Sequence, residues 1–184
     1  MKNLSIVFFA IIGIAFTSCK DNSKQNEAEL EVVTVDNTAD ATKTYEVAEV
    51  EAEFNDPKVE AVFEQYLNIE SALINTNADQ TASESSKLMT LLKEMNADEA
   101  TQNAVSAMAD SKDVKVQREN FEALTAGVEA MLQGALKSGT VYKQYCPMAF
   151  NNKGASWIST SRDILNPYFG DKMLKCGRVD AEIK

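Results

Sequence analysis

The stretch that decides the fold is DPKVEAVFEQYLNIESALI, residues 56–74. Asp56 is a residue type that caps helix N-termini, and Pro57 is of the type favoured at the first helical position. The large apolar residues then recur at the 3.6-residue spacing of a helix with one buried face. They are Val59, Val62, Phe63, Tyr66, Leu67, Ile69, Leu73 and Ile74. The sequence therefore predicts an amphipathic helix that begins at Pro57 and packs against other elements.

Three more amphipathic segments follow, with short connections between them. The second covers residues 79–95, the third is capped by Asp98, and the fourth ends at Ser138-Gly139, a suitable C-terminal cap. Helices joined by short connections usually pack as antiparallel neighbours. We predict a mainly α fold in which residues 57–139 form an antiparallel four-helix bundle.

The last 45 residues, 140–184, have a different character. They hold two of the three prolines, three of the seven glycines, the only tryptophan and two of the three cysteines. Residues 140–145 alternate like a strand, residues 178–183 alternate again and can pair with them, and turn residues lie between. We predict a small irregular module with short strands, packed on the bundle, whose rigid and special-backbone residues shape a site.

The N-terminus has the features of an export signal. Lys2 precedes an apolar run over residues 4–16, which is too short to span a bilayer. The run leads into Phe16-Thr17-Ser18-Cys19, which resembles a lipobox. We therefore predict a lipoprotein signal peptide over residues 1–18, a lipid on Cys19, and, because Lys20 is not aspartate, an outer-membrane location in the cell envelope. The alternative is an ordinary cleaved signal followed by a chance cysteine.

An acidic segment follows the predicted anchor. Residues 26–56 contain ten carboxylates against one lysine and lack periodic large apolar residues. Such a composition favours an extended, solvated chain, so we predict a disordered tether over residues 19–56. The net charge of the whole chain is −10, which argues against nucleic acid and anionic lipid head groups as partners.

Three strings in the C-terminal module carry a family resemblance. They are YCPMA (145–149), GASWIS (154–159) and ILNPYFGDKMLKCG (164–177). Together they are similar to the signature of domain of unknown function 3347, a family with a helical body followed by this motif. The resemblance covers roughly residues 57–184. The family occurs in bacterial lipoproteins and is appended to periplasmic adaptor subunits of heavy-metal efflux pumps, which implies an association with copper or another soft metal. The chain has no room for the other domains of a pump adaptor, so the pump role itself does not carry over.

The same motif supplies four sulfur ligands. Cys146 and Met148 are two residues apart, so both project to one side of an extended segment. Met173 and Cys176 are three apart, so both share one face of a helical turn. Two thiolates and two thioethers suit Cu(I) and suit zinc less well, because methionine is a poor zinc ligand. The chain has no histidine, which excludes His-based metal sites and the common catalytic triads.

A disulfide between Cys146 and Cys176 is the alternative, since two cysteines in an exported protein usually pair. It would close a loop of 30 residues and stabilise the fold by roughly 3–4 kcal/mol on the chain-entropy account. A redox switch between dithiol and disulfide is a third possibility. Under each of these readings, we expect seven residues to support the motif: Pro147, Trp157, Asn166, Pro167, Tyr168, Gly170 and Gly177.

Three function classes follow. The first is an envelope lipoprotein that binds Cu(I) and is accessory to heavy-metal homeostasis or efflux. The second is a disulfide-stabilised interaction module that docks on an envelope complex and binds no metal. The third, an enzyme, is disfavoured because Cys146 would have no base beside it and no acid–base pair stands out. The expected partners are the membrane, through the lipid, and a heavy-metal efflux system or another envelope protein.

Overall fold

The structure, a computed structural model, describes residues 44–184. The predicted signal peptide, the lipidation site at Cys19 and the predicted tether up to residue 43 lie outside the described residues. The described part is mainly helical and carries a C-terminal module of short antiparallel strands, as predicted.

The helical part contains four long helices. They are α1 (Pro57–Ile74), α2 (Ala78–Glu94), α3 (Glu99–Asp110) and α4 (Val114–Leu132). Each helix is capped at its N-terminus by a side chain that accepts a hydrogen bond from a first-turn backbone N–H. The capping residues of α1 to α4 are, in order, Asp56, Asn77, Asp98 and Asp113. Consecutive helices pack on one another, and α4 also contacts α1 and α2. The predicted helix start at Pro57 is confirmed.

The fourth helix ends earlier than the sequence pattern predicted. It stops at Leu132 rather than at Ser138, because Gly134 adopts a left-handed conformation with φ of +71°. Residues Leu136–Ser138 instead form strand β2, which pairs antiparallel with β1 (Glu53–Phe54). The predicted C-cap at Ser138-Gly139 is therefore wrong.

The last part of the predicted tether lies against the helical domain. From Tyr45 to Phe54 the extended chain turns apolar side chains inward, with Val47, Val50 and Phe54 packed on the core and Ala52 buried within it. The Tyr45 N–H donates a hydrogen bond to Asn75 Oδ1 at 2.8 Å, and Asn75 Nδ2 donates one to the Tyr45 carbonyl. The acidic composition hid this alternation, because the carboxylates occupy the outward positions.

The C-terminal module is built on a three-stranded antiparallel sheet of order β4-β3-β5. Its elements are β3 (Val141–Cys146), the short helix α5 (Ala149–Asn152), β4 (Ala155–Ser159), a 3₁₀ turn (Gly170–Lys172) and β5 (Arg178–Ile183). The expected pairing of the first and last strands of this module is confirmed, with Tyr145 opposite Arg178.

A chain of aromatic contacts joins the module to the helices. Tyr66 of α1 stacks on Phe121 of α4 with ring centroids 5.0 Å apart, and Phe121 contacts Tyr168 at 5.9 Å. Tyr168 then contacts Trp157 of β4 edge-on at 6.1 Å. These buried rings make one continuous core, so the module is positioned by packing as well as by the chain connection. Among residues 44–184, no helix is long and apolar enough to cross a membrane.

Candidate functional site

The two cysteines of the C-terminal motif meet at one end of the sheet. Cys146 is the last residue of β3 and is fully buried, and Cys176 lies two residues before β5 and is partly buried. Because Tyr145 pairs with Arg178, the strand register brings the two cysteines side by side. Their Sγ atoms are 2.7 Å apart, and both thiols are free.

The two methionines flank this pair differently. The Met148 backbone N–H donates to the sulfur of Cys176, while the Met148 side chain is 47% exposed. Met173 is partly buried and follows the 3₁₀ turn, and its carbonyl accepts a hydrogen bond from the Cys176 N–H at 3.0 Å. The structure therefore joins the cysteine sulfurs directly and places the backbones of both methionines next to Cys176.

The surroundings of the pair oppose ionisation of Cys176. Burial and then the neighbouring Cys146 thiol raise the pKa of Cys176 to about 11, because a thiolate there would lose hydration and repel a second thiolate. No group of three or more His, Cys, Asp and Glu side chains with metal-ligand spacing occurs among residues 44–184. A metal held by both cysteines would therefore complete its coordination with methionine sulfur or solvent, and would have to displace the thiol protons.

Asn166 organises the loop that delivers Cys176. It is fully buried, its Oδ1 accepts the N–H groups of Tyr168 (2.8 Å) and Phe169 (3.1 Å), and its Nδ2 donates to the Cys176 carbonyl at 2.6 Å. Its own N–H donates to the Leu174 carbonyl. One amide side chain thus fixes both ends of the loop that contains Met173. This is the type of role the sequence assigned to Asn166.

The other expected supporting residues surround the same loop. The Tyr168 hydroxyl donates to the Ser156 carbonyl, and Trp157 is completely buried. A Cβ on Gly177 would lie 2.8 Å from the Trp157 ring, so only glycine fits there at the observed φ of +151°. Pro147, by contrast, is exposed.

The turn after the first cysteine has an unusual backbone. Phe150, Asn151 and Asn152 all have left-handed φ values, of 49°, 58° and 67°. Such a conformation costs roughly 1–2 kcal/mol per residue with a side chain, so neighbouring contacts must hold it. Phe150 stacks edge-on against Tyr168, and Gly154 closes the turn through its bond to the Ala149 carbonyl. These contacts hold the turn that follows Met148.

Arg118 of α4 is a supporting residue that the sequence did not reveal. Its Nε donates to the Pro167 carbonyl at 2.7 Å, and its Nη2 donates to the Leu73 carbonyl at 3.0 Å. The guanidinium also lies 2.9 Å from the position of a Cβ on Gly170, whose φ is +56°. Burial lowers the pKa of Arg118, and Asp171 partly offsets this. Arg118 thus ties the motif loop to the end of α1.

Glu70 is a second residue whose environment the sequence did not reveal. It lies on the buried side of α1, and neither carboxyl oxygen has a hydrogen-bond partner among the described residues. Burial raises its pKa well above the usual 4.5. The exposed fraction of the residue is 1%, so the carboxyl cannot contact an external ligand in this conformation. We assign Glu70 to the core and not to the site.

These features define a class of protein: a helical domain that supports a small thiol-containing sheet module. The family described as "Protein of unknown function (DUF3347)" matches residues 62–139. The match confirms the resemblance to this family for the helical part of the chain, and it ends before the cysteine motif begins. No curated protein and no solved structure gives a significant match to the chain.

Proposed function

We propose that the chain is an exported envelope lipoprotein, anchored through Cys19, that binds Cu(I) at Cys146 and Cys176. In this proposal Met148 and Met173 complete the coordination, and the helices form an antiparallel four-helix bundle that serves as a scaffold. The protein is an accessory to heavy-metal homeostasis or efflux and has no enzymatic activity. The observation that carries the proposal is the contact between the two cysteine sulfurs at the edge of the module.

The donor chemistry supports a soft metal. Among residues 44–184, no carboxylate or imidazole joins the two cysteines in a metal-ligand group. A thiolate pair with thioethers nearby matches Cu(I) better than calcium, magnesium or zinc. Cu(I) also tolerates few ligands, so two thiolates with weak additional sulfur donors are a sufficient set. The family's link to metal efflux points the same way.

Metal entry would require a local adjustment of the pair. Two thiolates on one tetrahedral ion, each about 2.3 Å from the metal as for zinc, are about 3.8 Å apart. The sulfurs are 2.7 Å apart before binding, so they must separate by about 1 Å and lose their protons. The partly buried loop of Cys176 is the side that moves most easily, because Cys146 is held inside the sheet.

A second candidate function rests on the same distance. The two sulfurs, 2.7 Å apart, are closer than two thiolates bound to one metal ion would be. This proximity favours oxidation of the pair to a disulfide. The protein would then be a disulfide-stabilised interaction module of an envelope complex without a metal. The bond would tie β3 to the segment before β5 and stabilise the module by roughly 3–4 kcal/mol.

A Cu(I) competition titration on the fully reduced protein tests the first candidate. We expect one Cu(I) per chain, loss of binding in Cys146→Ser and in Cys176→Ser, and weaker binding in Met148→Leu and Met173→Leu, since thioethers are weaker donors. Met131→Leu, a change at a partly buried methionine of α4, is the matched control and should bind as the wild type does. No stoichiometric uptake by the reduced wild type would overturn the copper function.

The second candidate is tested by counting thiols in protein purified without reductant. The disulfide module would be supported if neither Cys146 nor Cys176 reacts as a free thiol in this protein and if Cys176→Ser lowers the thermal stability. Two free thiols and unchanged stability in that variant would argue against it.

A further inference from the structure

The basic residues of the C-terminal module fall into two groups. The module is net basic, with seven basic and four acidic residues over 140–184, whereas the whole chain has a net charge of −10. Four of the seven basic side chains are paired with carboxylates. They are Lys143 with Glu129, Arg162 and Lys184 with Glu182, and Arg178 with Asp180. The other three, Lys153, Lys172 and Lys175, are exposed and have no ion-pair partner among residues 44–184.

All three unpaired lysines lie on the loops that hold the cysteine pair. Lys175 precedes Cys176 in the turn that the Cys176 N–H closes onto Met173. Lys172 ends the 3₁₀ turn just before Met173. Lys153 belongs to the left-handed turn that begins at Met148, and its N–H donates to the Phe150 carbonyl. Asp171, the carboxylate next to Lys172, acts on the partly buried Arg118.

An exposed apolar side chain lies on the same loops as these lysines. Only two large hydrophobic residues within residues 44–184 are exposed, Val116 at 36% and Met148 at 47%. Met148 is also the residue whose backbone bonds the Cys176 sulfur. An apolar contact surrounded by polar, charged residues is the usual anatomy of a protein-binding surface. Both kinds of residue lie on the loops that flank the cysteine pair, and Cys176 is the thiol of that pair that is not fully buried.

We infer that Lys153, Lys172, Lys175 and Met148 form a docking surface for a copper carrier whose surface is acidic around its metal. This inference rests on the proposed function. Cu(I) passes between proteins by ligand exchange, so the donor must bring its metal within bonding distance of Cys176 and therefore touch the residues beside it. Ligand exchange then transfers the metal from the carrier's thiolates to Cys176 and Cys146, whose two protons pass to the carrier and the solvent.

Charge decides the kind of partner. The rest of the chain is strongly acidic and repels an acidic carrier, so attraction is confined to the lysine surface and orients the encounter. An anionic membrane is the other occupant with matching charge. It offers no ligand to which the metal can pass, and the acidic segment over 26–56 would oppose its approach.

The test compares two Cu(I) donors that share one ligand core and differ in charge. The anionic donor is the Cu(I) complex of bathocuproine disulfonate, and the cationic donor is the Cu(I) complex of neocuproine. Stopped-flow absorbance measures transfer to the reduced full-length protein at low and high salt. We expect the anionic donor to transfer about tenfold faster at low salt, with the advantage reduced at high salt because salt screens exposed charges.

Charge reversal assigns the effect to the surface. Lys172→Glu with Lys175→Glu should abolish or invert the preference for the anionic donor while the copper stoichiometry stays at one. Lys58→Glu with Lys93→Glu reverses two exposed, unpaired lysines on α1 and α2 and should change nothing. Normal uptake with equal rates from both donors would overturn the docking surface alone. Absence of uptake from either donor would overturn the proposed function and the docking surface together. The wild type and the Lys58→Glu, Lys93→Glu control could also bind phosphatidylglycerol vesicles while the Lys172→Glu, Lys175→Glu variant does not. That result would assign the lysines to the membrane and overturn the inference.

Discussion

Glu70 offers the most direct test of how the core of this protein responds to pH. The carboxyl lies on the buried face of α1 and has no hydrogen-bond partner among the described residues. Burial is the one cause that raises its pKa. The neighbouring Tyr66 hydroxyl is already bonded to Thr125 Oγ1 at 2.9 Å and accepts the Ile158 N–H at 3.1 Å. Burial raises the pKa of Tyr66 as well, so the hydroxyl does not compensate for a charge on Glu70.

The sign of the effect follows from proton linkage. The pKa of Glu70 is higher in the folded state than the usual 4.5 of the unfolded chain, so the folded state binds more protons between these two values. Its contribution to stability is fully present below about pH 4.5 and is lost as the pH rises through the folded-state pKa. Within that window, the free energy of unfolding should fall by up to about 1.4 kcal/mol per pH unit.

Glu70→Gln removes the titration but keeps the shape of the side chain. The difference in free energy of unfolding between this variant and the wild type should be near zero at pH 4.5 and grow in favour of the variant as the pH rises. Glu70→Leu should be more stable than Glu70→Gln by roughly 1–3 kcal/mol at all pH values, because it also removes an unpaired buried polar group. Glu64→Gln changes an exposed carboxylate on the same helix and is the matched control.

Urea unfolding at half-unit intervals from pH 4.5 to 8 measures these differences. The comparison of variant with wild type cancels the exposed carboxylates, such as Asp98, whose pKa the Thr101 hydrogen bonds lower and which acts in the opposite direction at lower pH. If the Glu70→Gln curve runs parallel to the wild-type curve over the whole range, the carboxyl is not titrating in a buried site and the reasoning fails.

Three further predictions follow from the fold and the N-terminus. Arg118→Met should lower the free energy of unfolding by roughly 2–3 kcal/mol and expose Trp157 to quenchers, since the Pro167 and Leu73 carbonyls lose a charged donor; unchanged fluorescence and stability would count against its tying role. Limited proteolysis should trim the chain up to about residue 44 and spare residues 45–54, because that segment packs on the core; cleavage between 45 and 54 at the same rate would show that the packing is weak. Cys19→Ala should move the protein from the membrane fraction to the soluble fraction, and unchanged partitioning would argue against the lipid anchor.

The sequence alone was sufficient for the helices and for β3 and β5, the first and last strands of the module. Side-chain period and caps are local properties, so Asp56-Pro57 and Asp98 predicted helix starts within the chain itself. Local pattern failed at the end of α4, where Gly134 and the pairing of β2 with β1 override the helical signal. It also failed at residues 45–54, because whether alternating apolar residues pack depends on a surface supplied by α1.

The candidate site shows the same division. The types and spacings of Cys146, Met148, Met173 and Cys176 were visible in the sequence and defined a soft-ligand set. Their exposures and separations were not, because these depend on the register of β3 with β5 and on the bonds that Asn166 makes across its loop. Arg118 is remote in sequence from the motif, and no local signal marks it. Sequence determined which chemistry this protein carries, because chemistry is a property of single side chains. Tertiary structure alone decided that the two thiols touch, that three lysines on the neighbouring loops have no ion-pair partner among residues 44–184, and that one carboxyl is buried. Each of these is a relation between distant segments.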